Sequence, residues 1–344
     1  MSVVISYLES AAVKRFLLIF FVAAICAGCD RRVELPGFST APCFGEQIMA
    51  YTYAPGMKVE INAPSASEFD RSLPTAVVLY GLPNGNTTDW TIGKQAAEGD
   101  DWHFQIQHIG AQTRYIRSLR PGFNLVTVYL EAEQLSWGSW RAANKGGDSL
   151  IVRLAEDLLG IFGKYEPYIV LSGHSGGGNI PFGFIDAVDT IPSYVHRIVF
   201  LDSNYNWDDT RYGSKLARWL GSSAGNSLFV ACYDDANALL NGKPFVSPTG
   251  GTWYRSGVML KYLRGCLQKE WTEQKSGNIV SCRSTDDKVQ FLMIENPERA
   301  ILHTVMVEKN GYIHSLLFGT SKENCGYGFM EDAAYGNFIQ KEVW

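Results

Sequence analysis

A chain of 344 residues, 46% hydrophobic and 19% charged, can bury a sizeable core, which argues against a disordered or fibrous protein. A formal net charge of -5 with no run of Lys and Arg argues against nucleic acid as a partner. No internal repeat or low-complexity tract breaks the chain, so one large domain suffices.

Lys14 and Arg15 precede an uncharged stretch from Phe16 to Cys29 that is too short to span a bilayer comfortably and has the layout of a secretory signal. It ends in Ile25, Cys26, Ala27, Gly28, Cys29, Asp30, which resembles a bacterial lipoprotein signal. Cys26 departs from that pattern, which usually has leucine there. The resemblance implies a signal peptide over 1–28, lipidation of Cys29, and a protein lipid-anchored to a bacterial membrane in the cell envelope. Residues 29–45 then read as a linker with Pro36 and Pro42, and 46–344 as the folded domain. In an oxidising compartment Cys43, Cys266, Cys282 and Cys325 could form two disulfides, most simply Cys266 with Cys282 and Cys43 with Cys325. Cys232 lies in an apolar run and reads as a buried free thiol. No C-x-x-C pair or His/Cys cluster at metal-ligand spacing follows the signal, so neither a metal nor a cofactor is expected.

Gln47 to Ala54 and Met57 to Ala63 read as a hairpin around Pro55-Gly56. Ala76 to Tyr80 is a short apolar strand, Asp101 to Leu119 a helix with His103 and His108 in structural roles, and Asn124 to Leu130 the next strand. Trp137, Trp140 and Arg141 follow that strand, where an open parallel sheet binds ligands. A helix over Asp148 to Phe162 leads to the apolar run Tyr168 to Leu171. After it, a helix over Asn179 to Ala187, a strand Ile198 to Leu201, a helix near Tyr212 to Leu220 and a strand Leu228 to Tyr233 alternate. The segment from 236 to 287, with Trp253, reads as a possible cover over the site. Gln290 to Glu295 and Ala300 to Val307 make two β-like runs around Asn296-Pro297.

The run from Tyr168 ends in Ser172, Gly173, His174, Ser175, Gly176, Gly177, Gly178, which sets Ser175 in a G-x-S-x-G pentapeptide between a strand and a helix. A strand that reverses sharply into a helix strains its central residue, and side chains at Gly173 and Gly177 would clash across the turn. A serine held there has an exposed hydroxyl, and the following helix aims its amides at it. Here the chain resembles the α/β-hydrolase fold serine hydrolases of esterase and lipase type; its motifs single out no subfamily. The resemblance implies a mostly parallel central sheet with helices on both faces, preceded by the N-terminal β-hairpin.

The same resemblance implies a role for Gly81, Leu82, Pro83, where the family has His-Gly-x-Pro with its His replaced here by Tyr80. By it the oxyanion donors are the amides of Leu82 and Gly176. A serine needs a base, and the base a carboxylate, in the chain order Ser, Asp or Glu, His. His314, in Gly-Tyr-Ile-His-Ser past the expected final strand, fits the family's Gly-x-x-His pattern, while His303 reads as a packed core residue within that strand. For the acid, Asp235 leads, with Asp202 and Asp234 left open. Together these imply an exported hydrolase that cleaves a carboxylic ester, small or glycan-linked, through an acyl-enzyme on Ser175. Trp137, Trp140, Trp207 and Trp253 would suit an aromatic or carbohydrate-linked group. An amidase or peptidase with the same triad, or a non-catalytic surface binding protein on the same fold, stays open.

Overall fold

The computed structural model describes residues 32–53 and 55–343. The expected signal peptide and Cys29 lie outside the described residues. Of the expected linker, Val33 and Leu35 are buried, and the Gln47 side chain holds their backbone, accepting from Leu35 N and donating to the Val33 carbonyl.

Eleven strands form one sheet in the order β1 (Ser39–Thr40), β2 (Gln47–Tyr53), β3 (Met57–Ala63), β5 (Asn124–Ala132), β4 (Thr75–Gly81), β6 (Pro167–Gly173), β7 (Val195–Leu201), β8 (Ser227–Tyr233), β13 (Val289–Ile294), β12 (Ile279–Ser284), β11 (Trp271–Ser276). A small separate ribbon pairs β9 (Leu239–Leu240) with β10 (Lys243–Pro244). The six strands from β5 to β13 run parallel, and antiparallel ribbons close both edges. Parallel strands are covered on both faces, so their residues are apolar throughout and alternate between two cores. Val77 and Leu79 of β4 enter one layer, with the helices Asp148–Ile161, Asn179–Ala187, Ser214–Ser222 and Thr252–Cys266. Ala76, Val78 and Tyr80 enter the other, with the helices Ile109–Ser118 and Tyr312–Leu317.

Three elements differ from expectation. The chain over 101–119 is a 3-10 turn, Trp102–Gln105, then the helix Ile109–Ser118, because His108 adopts a left-handed conformation (φ 48°) between them. Most of the segment 236–287 is built into the domain: Met259 and Leu263 of helix Thr252–Cys266 are core residues, and β11 and β12 extend the sheet. The run 300–307 is no strand. β13 already has β12 on one side and β8 on the other, so these residues have no edge to join; they form a turn at His303 and a helical segment from Val305.

The five described cysteines are all free. Cys266 Sγ faces the Leu263 carbonyl of its own helix and Cys282 Sγ faces Glu273 on the adjacent strand, so the expected disulfides are absent among the described residues. Cys232 is buried in β8, as read from the sequence.

Candidate active site

β6 delivers its last residue, Gly173, to a turn so tight that a Cβ there would meet the Gly177 carbonyl, and one on Gly177 would meet the Gly81 carbonyl. The glycines are therefore required by close approach of backbone to backbone. Ser175 sits at the apex with φ 55°, left-handed and strained for a side-chain-bearing residue, and half-buried. The turn continues into the helix Asn179–Ala187.

The strand beside β6 supplies the carboxylate. His174 pairs with Leu201 across the β6–β7 boundary, so the residues that follow, Ser175 and Asp202, emerge side by side at the carboxyl ends of neighbouring strands, which lie about 4.8 Å apart. Asp202 also has a positive φ, 45°, and is fully buried. Its Oδ2 accepts a hydrogen bond from His303 Nδ1 and its Oδ1 one from Thr252 Oγ1. With Nδ1 donating, His303 keeps Nε2 as its basic nitrogen. The His303 ring is about a quarter exposed and lies 4.5 Å, centroid to centroid, from the ring of His174, the residue before the serine. His174 Nε2 donates to the His303 carbonyl at 2.9 Å, and burial, reinforced by the neighbouring His303, pushes its pKa well below the usual histidine value. A neutral His174 thus props the loop that carries His303. Among the described residues Ser175 Oγ has no hydrogen-bonded partner; nucleophile–base contacts commonly tighten only when substrate is bound.

The alternation of helices and parallel strands, the strained serine turn and the strand-end carboxylate decide the architecture. This is the α/β-hydrolase fold. Neither a protein-family model nor a curated protein sequence matches the chain. Solved esterases and a solved hydrolase resemble it at low identity. A thermostable esterase is 14% identical over 76% of this chain, with TM-score 0.41, and this chain spans only 56% of that one. The siderophore hydrolase EstB from Aspergillus nidulans is 14% identical over 83% of this chain and 95% of its own, with TM-score 0.44. The glucuronoyl esterase from Solibacter usitatus is 14% identical over 76% and 80%, with TM-score 0.38.

Within this α/β-hydrolase fold several expected site residues lie elsewhere. His314 is buried in the helix Tyr312–Leu317, with Nε2 3.1 Å from Gln290 Oε1 and Nδ1 3.4 Å from Tyr327 Oη. Gln290 is the second residue of β13, so this histidine lies toward the amino end of the sheet, about 13 Å of strand away from the carboxyl end where the serine emerges. The histidine that follows the last strand is His303; the sequence signal for it was the Asn296-Pro297 break after β13.

Asp235 reaches no histidine among the described residues. Its Oδ2 accepts from Thr252 N at 2.8 Å, fixing the start of helix Thr252–Cys266, and burial followed by the nearby Asp202 carboxylate raises its pKa. Asp234 closes a turn, accepting from Asn237 N at 3.1 Å. Thr252 therefore joins the two buried carboxylates, and it was not visible as a site residue in the sequence. The Leu82 amide is also occupied, donating to the Leu130 carbonyl at 3.1 Å where β5 runs on beside β4. Trp137 and Trp140 are buried and packed on each other, with their indole N–H groups bonded to the Leu130 and Pro55 carbonyls. They are core residues with no face for substrate. Trp207 is likewise buried, and Trp253 alone of the four remains partly exposed, beside Thr252. No group of three or more His, Cys, Asp or Glu side chains among the described residues is arranged to hold a metal ion.

Burial pushes the His314 imidazole down to about 4. Between that value and the ordinary value of about 6.5, the unfolded chain takes up a proton that the folded chain refuses, so stability falls as pH drops through this window. His314→Gln should lessen that loss, seen as a smaller shift of the urea midpoint between pH 6.5 and 4.5. His108 and His174, also lowered by burial, keep part of it.

Proposed function

We propose that this chain is a serine hydrolase that cleaves a carboxylic ester through an acyl-enzyme on Ser175, with His303 as base and Asp202 as its carboxylate. The observation that carries the proposal is the Asp202–His303 hydrogen bond at a strand end adjoining the strained Ser175 turn. In this reading His303 Nε2 takes the Ser175 proton as Oγ attacks the acyl carbon, and Asp202 stabilises the imidazolium. His303 then protonates the departing alkoxide. Water, deprotonated by His303, attacks the acyl carbon, the bond to Ser175 Oγ breaks as His303 returns the proton to Oγ, and the acid is freed.

The oxyanion needs donors, and the amide of Gly176, in the first turn after the serine, is the first. With the Leu82 amide occupied and Pro83 lacking one, we assign the second to Asn84, whose side-chain amide packs on Gly176 so closely that a Cβ there would collide with it. Asn84→Ala should lower kcat by about 10²-fold with KM little changed, measured on a 4-nitrophenyl ester. An unchanged kcat would place the second donor elsewhere.

Labelling by a fluorophosphonate tests the activated serine, and a panel of esters and amides then tests the bond cleaved. We extend the reading to an exported enzyme anchored through lipid on Cys29. Cys29→Ser should move the protein from the membrane to the soluble fraction; retention in the membrane fraction would refute the anchor.

A further inference from the structure

Tyr205 and Trp207 from the loop after β7 wall a cavity of about 550 Å³ together with Arg141, Arg211 and Arg255, and the carboxylates of Asp148 and Asp208 also line it. A hydrogen-bonded path ties it to the serine turn: Asn206 Nδ2 donates to Asn179 Oδ1 at 3.2 Å, and Asn179 Nδ2 to the Gly176 carbonyl at 2.9 Å. The three arginines differ in their state of pairing. Arg141 is held by Asp148 at 2.7 and 2.8 Å and by Asp186 at 2.6 Å. Arg211 is held by Asp186 at 2.7 and 2.8 Å.

Arg255 has no such partner. Among the described residues no carboxylate lies within ion-pair reach of it, and its Nη1 donates only to the Trp207 carbonyl at 3.1 Å. Its Nε is buried with no acceptor among the described residues. The acidic group in its electrostatic range, Asp208, uses Oδ1 to cap the next turn, accepting from Thr210 and Arg211 amides. A buried guanidinium N–H without an acceptor costs about 1–3 kcal/mol or more, which a ligand oxygen would recover. Tyr205 lines the same cavity, and its hydroxyl has no protein partner among the described residues. Burial, then the carboxylates of Asp202 and Asp235, raises its pKa, so it remains a donor. Unpaired donors with a positive charge match a carboxylate.

We propose that this cavity binds a free carboxylate carried by the substrate, with Arg255 pairing it and Tyr205 donating to it, so that the preferred ester is an acidic one. The proposal rests on the serine-hydrolase reading for the bond cleaved, while the binding step needs no turnover. Two measurements separate them. Glutarate binding to the protein, by titration calorimetry, should be saturable and weakened about 10- to 100-fold by Arg255→Gln, less by Arg255→Lys; glutaramide should not bind. The ratio of kcat/KM for 4-nitrophenyl hemiglutarate over 4-nitrophenyl butyrate should exceed one and fall by a similar factor in Arg255→Gln. Thermal melts of both variants check that they fold. Turnover of the neutral ester without glutarate binding or an acidic preference would overturn the carboxylate site and leave the serine mechanism standing. Arg255-dependent glutarate binding by a protein that neither turns over esters nor labels at Ser175 would overturn the mechanism and leave the site.

Discussion

His303→Ala should cut kcat on a 4-nitrophenyl ester by about 10⁴-fold or more and suppress fluorophosphonate labelling, as should Ser175→Ala. His314→Gln should leave the labelling rate within about twofold. The contrast follows from position. His303 touches the buried Asp202 and lies against the ring of the residue before the serine, while His314 spends its ring nitrogens on Gln290 and Tyr327 in the core. Removing either member of an interacting serine–histidine pair forfeits nearly the whole effect of the pair, because neither group activates the ester alone. Labelling that survives His303→Ala and disappears in a folded His314→Gln would reverse the assignment.

Asp202→Asn should lower kcat by about 10³- to 10⁴-fold, whereas Asp235→Asn should cost less than about tenfold. An asparagine at 202 no longer fixes the His303 tautomer with Nδ1 protonated, nor does it stabilise the imidazolium that forms on proton transfer. Asp235 bonds the Thr252 amide, and an asparagine there keeps an acceptor oxygen for it. Circular dichroism of both variants, taken with the kinetics, separates lost chemistry from lost structure, since both carboxylates are buried. Equal losses in two folded variants would show that the pair acts as a unit through Thr252, which contacts both.

Most of what local sequence encodes is legible along the chain. The parallel strands appear as apolar runs because burial on both faces demands it, and the helix Asn179–Ala187 was bounded at both ends by its sequence. The serine turn was legible for the same reason: Gly173 and Gly177 are required by contacts within a few residues of Ser175 and with the neighbouring Gly81. Free cysteines in place of disulfides were not legible, since pairing depends on where Cys266 and Cys282 point.

By itself, the sequence determined the parallel strands, their flanking helices and a serine poised at a strand end, all products of short-range pattern and steric demand. Tertiary structure alone decided the partners. A β-branched run at 300–307 resembles a strand, yet both sides of β13 are occupied, so it folds into the turn that places His303 and leaves His314 for the core. The extension of β5 beside β4 claims the Leu82 amide, and the adjacency of β6 and β7 brings Asp202 to the serine. Such choices depend on which strand ends become neighbours, a relation between segments more than a hundred residues apart, as for Asp202 and His303 with a separation of 101. No pattern along the chain records it.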